Sequence, residues 1–150
     1  MKNITFYAIA LTILLFSSLF LPYSHHDIYA KSSFFLIRGV LNEAGIITNG
    51  FESWITVAVL LWSAAITLVV SIPQSTTNAI ISLLFSVGLA IYMILILIML
   101  TAHFTIGAGN YNYTLGIGFY LASIVSILFI VLTVVHLIKT IRFKKVELDF

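Results

Sequence analysis

The chain has 150 residues, of which 61% are hydrophobic and 8% are charged, and its formal net charge is +2. Soluble domains carry about 25% charged residues, so this composition excludes an ordinary aqueous fold and predicts a single integral membrane domain over residues 1–150. The small net charge gives no support to nucleic-acid binding. The absence of cysteine excludes disulfides, thiolate metal sites and cysteine nucleophiles.

Four apolar stretches approach the length of about 20 residues that a bilayer-spanning helix needs. They cover about residues 4–21, 54–72, 80–102 and 115–138. An outer loop over 22–53 separates the first two stretches, and a tail over 139–150 follows the last one. The sequence therefore predicts an all-α membrane fold, a bundle of four transmembrane helices.

The first apolar stretch has an alternative interpretation as a signal peptide removed from residues 1–30. The stretch is 18 residues long, which exceeds the 7–15 of a typical signal-peptide core and favours retention.

The residues that flank the predicted spans include aromatic side chains suited to a membrane interface. We expect an outer aromatic belt formed by Tyr23, Tyr29, Trp54, Tyr111, Tyr113 and Tyr120.

The distribution of lysine and arginine predicts the orientation of the chain in a plasma membrane. Lys2 precedes the first span, whereas the outer loop holds only Lys31 and Arg38. The tail carries Lys139, Arg142, Lys144 and Lys145. Both termini are therefore predicted to be cytoplasmic. The tail cations are expected to attract lipid headgroups, each by about 1 kcal/mol, as a topology anchor or alternatively as a docking peptide for a cytoplasmic partner.

Small residues on the fourth span predict a close helix contact. Gly118, Ala122 and Ser126 recur every four residues and therefore share one helix face. This face packs the span inside its own bundle or, alternatively, contacts another protein.

Two large residues near mid-membrane, Trp62 and Tyr92, are candidates for a small ligand cleft, with simple bundle packing as the alternative.

The histidines are the candidate metal ligands. His25, His26 and Asp27 are adjacent, and His103 is predicted on the same side of the membrane. Three imidazoles and a carboxylate could bind zinc or copper, although polar residues are also expected wherever a helix leaves lipid. His103 and His136 lie at opposite faces and cannot share a haem iron. No cofactor is predicted.

Chemistry-bearing motifs are otherwise missing from the sequence. No Asp, Glu, Lys or Arg occurs between positions 53 and 138, which disfavours ion-coupled transport because such mechanisms use ionisable groups within the spans. No nucleophile–base grouping or phosphate-binding glycine loop is present. The sequence thus predicts a protein that is not an enzyme.

The outer loop is predicted to contain a small extracellular β element. Residues 28–41 have strand-like composition, and residues 46–51 surround Asn49 and Gly50, a strong turn dipeptide. An amphipathic surface helix over 34–41 is the alternative to the first strand, and the strands are preferred.

Two span-end sequences carry a family resemblance. The first span ends in "LFLPYS" and the fourth opens with "YTLGIGFYLASI"; with four spans and a long first loop, they resemble the tetraspan superfamily of claudins and peripheral myelin protein. The resemblance implies a claudin-like four-helix fold. The tryptophan motif and paired cysteines of that family's first loop are missing here, so no functional residue is transferred.

These observations predict a non-enzymatic tetraspan protein that acts in assembly. It would form a homo-oligomer or serve as an accessory subunit of a larger membrane complex, with Gly118, Ala122 and Ser126 at the contact. Replacing Gly118 or Ala122 with Leu would then disrupt assembly. The alternative is a membrane subunit that binds a small molecule, lipid or metal in a redox or transport complex.

Overall fold

The computed structural model describes residues 2–26, 33–35, 50–72, 75–107 and 113–148, and they are predominantly helical, as the sequence predicts. The helices are α1 (Lys2–Ser18), α2 (Gly50–Ser71), α3 (Thr76–Gly107) and α4 (Ile117–Leu148). Three short strands accompany them: β1 (Pro22–His26), β2 (Ser33–Phe35) and β3 (Tyr113–Leu115).

The helix boundaries differ from the predicted spans because apolar content marks only part of each helix. α3 and α4 continue past the apolar stretches, to Gly107 and Leu148, since polar residues also sustain the backbone hydrogen bonds of a helix. α1 instead stops at Ser18, three residues before the predicted end. The amide of Leu21 still bonds the carbonyl of Ser18 at 3.1 Å, and Pro22 then prevents continuation because it has no amide hydrogen.

The start of α3 is fixed by a local cap. The hydroxyl of Ser75 accepts a hydrogen bond from the amide of Thr77 at 3.2 Å. Serine is preferred at this position because its side chain satisfies one of the free amides at a helix start. The short turn between α2 and α3 therefore ends in a defined helix N-terminus.

The four helices pack in a ring. α1 contacts α2 and α4, and α3 contacts the same two helices. The end of α1 also meets the start of α4, because the amide of Gly116 donates to the carbonyl of Tyr23 at 2.8 Å. The sheet consequently lies at this end of the ring, and the first turn of α1 and the last turns of α4 lie at the other end.

The strands form one antiparallel sheet in the order β2-β1-β3. Ser24 of β1 pairs with Phe34 on one side and with Leu115 on the other. β2 lies inside the predicted strand-like stretch, so the alternative surface helix is wrong for Phe34 and Phe35. The turn predicted at Asn49 and Gly50 is wrong for Gly50, because Gly50 and Phe51 begin α2; residues 46–49 lie outside the described ranges.

The outer surface of the described residues is far more apolar than that of a soluble protein, and several polar side chains are buried. The buried polar side chains are Ser18, Ser24, Ser63, Ser82, Ser86, Ser126, Thr133, His136 and Thr140. Large apolar side chains such as Leu61, Leu68 and Leu84 are about two-thirds exposed, at 67%, 67% and 65%. Apolar residues still form the core, but the surface of the ring is apolar as well.

Among the described residues, two stretches are long and apolar enough to cross a membrane. They are Thr76–Ile98 in α3 and Ile117–Phe143 in α4. The corresponding apolar parts of α1 and α2, Asn3–Ser18 and Val57–Ser71, are shorter.

Two glycines allow α4 to meet the end of α1, a contact that we name the α1–α4 joint. A Cβ on Gly116 would overlap the carbonyl oxygen of Pro22. A Cβ on Gly118 would lie 2.7 Å from the carbonyl oxygen of Leu21 and 2.9 Å from that of Ser18. Since these neighbours are backbone atoms, no side-chain rotation relieves the overlap. Glycine is required at both positions for steric reasons.

We therefore expect Gly116→Ala and Gly118→Ala each to lower the free energy of unfolding by about 1–3 kcal/mol, the usual effect of overpacking. Thermal unfolding in detergent measures the change. Ser123→Ala is the matched control, because Ser123 is a partly buried residue on the same helix outside the joint. Equal midpoints for all three variants would contradict a steric role for the two glycines.

Candidate functional site

The small-residue stripe on α4 is used within the chain. Gly118 lies in the α1–α4 joint. Ala122 and Ser126 are fully buried, and the Ser126 hydroxyl donates to the carbonyl of Ala122 at 2.8 Å. The prediction of a close helix contact thus corresponds to packing against the chain's own elements. The expectation that this stripe contacts a partner is therefore corrected: the chain itself already covers these three residues.

Trp62 and Tyr92, the predicted cleft residues, pack α2 against α3. The indole Nε1 of Trp62 donates to the carbonyl of Phe85 at 2.8 Å. The rings of Trp62 and Tyr92 stack with centroids 5.8 Å apart and an interplanar angle of 29°. The indole also lies directly over Gly88, where a Cβ would approach Trp62 Cζ2 to 2.6 Å. These contacts are those that the bundle-packing alternative predicts.

Replacing Trp62 tests this packing role. Trp62→Phe removes the hydrogen bond to the Phe85 carbonyl and part of the stack, and we expect it to lower the free energy of unfolding by about 1–2 kcal/mol. Trp62→Ala should lower it by about 3–5 kcal/mol. Thermal unfolding in detergent gives both values. Leu61→Ala, at the exposed neighbouring position, should have little effect; a Trp62→Ala variant as stable as this control would contradict the packing role.

The predicted metal ligands are only partly placed by the structure. His25 is an exposed residue of β1, and its backbone pairs with Ser33 and Thr114. Adjacent strand positions alternate between the faces of a sheet, so positions 25 and 26 belong to opposite faces. His103 lies near the end of α3, whereas Asp27 is outside the described ranges. The described residues hold no group of three metal-ligating side chains, and the zinc or copper site stays a prediction.

The basic tail continues α4 as a helix. Lys139 and Arg142 are both exposed, and their spacing of three places them on neighbouring positions of the helix surface. Ile138, Ile141 and Phe143 are exposed between and beside them. Lys144 and Lys145 lie in the last helical turns. Cations interleaved with exposed apolar residues are typical of the boundary between lipid chains and headgroups.

Tyr23 does not belong to an outer aromatic belt, contrary to expectation. The side chain is fully buried, its hydroxyl lies 3.2 Å from Ser18 Oγ in a hydrogen bond, and its ring meets Phe119 edge-on. The chain turns back after α1, which places Tyr23 in the α1–α4 joint. Tyr120, by contrast, is exposed as predicted. Burial raises the pKa of the Tyr23 phenol to about 12 from its usual 10.

This pKa predicts a loss of stability in strong alkali. Below pH 10 the phenol is protonated in both states, so the native state has no penalty. Between pH 10 and 12 the unfolded chain ionises first, and the free energy of unfolding should fall by about 2–3 kcal/mol. Urea unfolding at pH 9 and pH 11 measures the first half of this change, about 1.3 kcal/mol, with Tyr23→Phe as the control that lacks the ionising group. An identical pH dependence in both proteins would contradict the burial of this phenol.

Two polar features of the ring have no counterpart in the sequence predictions. The hydroxyls of Thr12 and Thr67 bond each other at 2.8 Å between α1 and α2. His136 on α4 is only 3% exposed, and neither of its ring nitrogens has a hydrogen-bond partner among the described residues. The one signal in the sequence is the spacing of Thr133, His136 and Thr140, which places these polar residues on one helix face.

Comparison of the chain with known protein families, with curated proteins and with solved structures finds no match. The resemblance to claudins and peripheral myelin protein therefore stays a prediction that depends on topology and span-end residues.

Proposed function

We propose that the chain is a tetraspan integral membrane protein in which α1, α2, α3 and α4 all cross the bilayer. The observation that carries the proposal is the apolar outer surface of the described residues. Large aliphatic and aromatic side chains cover the outside, and serine, threonine and histidine side chains lie inside. Exposed apolar surface of this extent is unfavourable in water, whereas lipid tails solvate it and helices satisfy the backbone polar groups.

The two shorter helices support four spans because of where they pack. α1 and α2 contact each other, and each also contacts one of the two long apolar helices. α2 extends over 22 residues, which corresponds to about 33 Å at 1.5 Å per residue and matches the hydrocarbon thickness of about 30 Å. Phe6, Tyr7 and Ile13 of α1 are exposed apolar residues, as expected for a lipid-facing helix.

The proposed orientation places both termini in the cytoplasm of a plasma-membrane protein. The ring puts the first turn of α1 and the basic end of α4 together, away from the sheet. Lys139 and Arg142 would then meet anionic headgroups of the inner leaflet, and the sheet would be extracellular. A short tag fused after Phe150 should be digested by protease only after the cells are permeabilised. Digestion on intact cells would contradict this orientation.

We propose a non-enzymatic role in assembly, with the chain as a homo-oligomer or an accessory subunit. The buried hydroxyls support a structural use of the interior, because they donate to carbonyls of their own helices. Ser63 bonds Leu60 at 3.0 Å, Ser82 bonds Ala79 at 2.9 Å, and Ser126 bonds Ala122. This arrangement satisfies polar groups within a dry bundle. A claudin-like architecture is part of the same proposal.

Assembly through the fourth span would use the face of α4 that remains open. The small-residue stripe is covered by the chain itself, whereas Ile124, Ile127 and Val131 are each more than half exposed. Contacts between copies in lipid depend on close van der Waals packing, so a bulky residue on this face should prevent them without disturbing the buried stripe.

Native mass spectrometry after extraction in mild detergent tests the proposal. We expect the wild-type chain of 16.7 kDa in multiples or with a co-purifying protein. Ile127→Trp and Val131→Trp should reduce the assembly at least tenfold. Leu84→Trp is the matched control, because Leu84 is equally exposed but lies on α3. A wild-type protein that is always a lone monomer would contradict an assembly role, and intact assemblies in the α4 variants would exclude this face.

A further inference from the structure

His136 is a buried polar residue that the proposed assembly role does not use. The residue lies on the buried face of α4, and its imidazole is 3% exposed. Neither Nδ1 nor Nε2 has a hydrogen-bond partner among the described residues. A neutral imidazole carries one donor and one acceptor, and buried groups of this kind are nearly always paired. The two unpaired nitrogens therefore indicate a missing partner.

Other polar side chains lie at the same end of the ring. Thr133 and Thr140 share the buried face of α4 with His136, since they lie three residues before it and four after it. Ser82 and Ser86 are buried in the first part of α3. α3 and α4 contact each other and run antiparallel, because only a short segment connects Gly107 to Ile117. We name these five residues the polar seam.

The hydroxyls of the polar seam do not bond the imidazole. Thr133 donates to the carbonyl of Phe129, Thr140 to that of His136 and Ser86 to that of Ser82, each at 2.9 Å. Each hydroxyl has thus used its hydrogen inside its own helix and keeps lone pairs that can accept. Thr133 and Thr140, one turn of α4 before and after His136, consequently keep acceptor lone pairs near an imidazole that still needs both a donor and an acceptor.

We propose that His136 is the recognition group of a binding site for an uncharged hydroxyl group in the half of the ring away from the sheet. A hydroxyl can either donate to the unprotonated ring nitrogen or accept from the protonated one, so one hydroxyl satisfies one of the two unpaired atoms and a second hydroxyl or water satisfies the other. A charged ligand fits less well, since the buried polar side chains of the described residues are hydroxyls and one imidazole, with no buried carboxylate or ammonium to pair with it.

The hydroxyl can come from either of two sources. Two enclosed water molecules, one at each ring nitrogen, would satisfy the imidazole as structural components. A membrane alcohol, such as a diacylglycerol, would insert its hydroxyl between α4 and a neighbouring helix while its chains remain in lipid. The proposed site does not depend on self-association, because every residue of the seam belongs to one chain.

Nitrogen NMR of protein labelled with ¹⁵N-histidine in phosphatidylcholine nanodiscs tests the site. The signal of His136 is assigned by its loss in His136→Gln. We expect chemical shifts of a neutral ring hydrogen-bonded at both nitrogens, with a cross-peak to water where water is the occupant. Addition of 1,2-dioctanoylglycerol should weaken this cross-peak and shift the ring signals where a membrane alcohol is the preferred occupant, because its one hydroxyl replaces water at one ring nitrogen. A ring without a bond to water or to the alcohol would overturn the proposal, and so would cross-peaks to a protein group alone.

Thermal unfolding in the same nanodiscs distinguishes a bound alcohol from a general lipid effect. For an alcohol site, 1,2-dioctanoylglycerol should raise the midpoint of the wild type by several degrees, and trioctanoylglycerol, which lacks the free hydroxyl, should not. His136→Leu should lose the response, and His136→Gln should retain part of it, since an amide both donates and accepts. An equal rise in wild type and His136→Leu would exclude the alcohol; the site would then stand only if NMR shows bound water. Native mass spectra of these samples report assembly separately, so the two proposals fail independently.

Discussion

The α1–α4 joint is the constraint on which the rest of the structure depends. Gly116 and Gly118 let the start of α4 approach the backbone of Leu21 and Pro22 without any intervening side chain. This contact turns the chain back after α1, buries Tyr23 and brings β3 alongside β1. The ring of helices closes because the first and last of them are held together at this point.

The polar side chains inside the ring are mostly satisfied within their own helices. Serine and threonine hydroxyls donate to carbonyls one turn earlier on their own helices, which leaves few polar groups to be satisfied between helices. Hydrogen bonds between neighbouring helices include Thr12 with Thr67, Thr67 to the carbonyl of Ala8, and Trp62 to the carbonyl of Phe85. Small residues and aromatic stacking provide the remaining close packing. Both ring nitrogens of the buried His136 lack a hydrogen-bond partner among the described residues, and this imidazole therefore points to a ligand.

The proposed functions use different parts of the same ring. Assembly would use the exposed aliphatic face of α4, whereas the hydroxyl site would use its buried face. A helix can serve both purposes because residues three or four apart share a face and the remaining positions point elsewhere. The packing of Trp62 against Gly88 and Tyr92 in turn assigns the predicted ligand cleft to helix contact.

Apolar length and β-branched or aromatic content are local properties, so the sequence predicts the helical class, the approximate position of four helices and a strand near Phe34. It also identifies Gly118, Ala122 and Ser126 as a contact stripe. What the stripe contacts, the burial of Tyr23 and the pairing of β3 with β1 follow from the tertiary structure instead. These features depend on which elements meet in space. His136 could not be identified as a ligand-binding residue from the sequence for the same reason. Whether its ring nitrogens lack hydrogen-bond partners depends on which side chains pack around it.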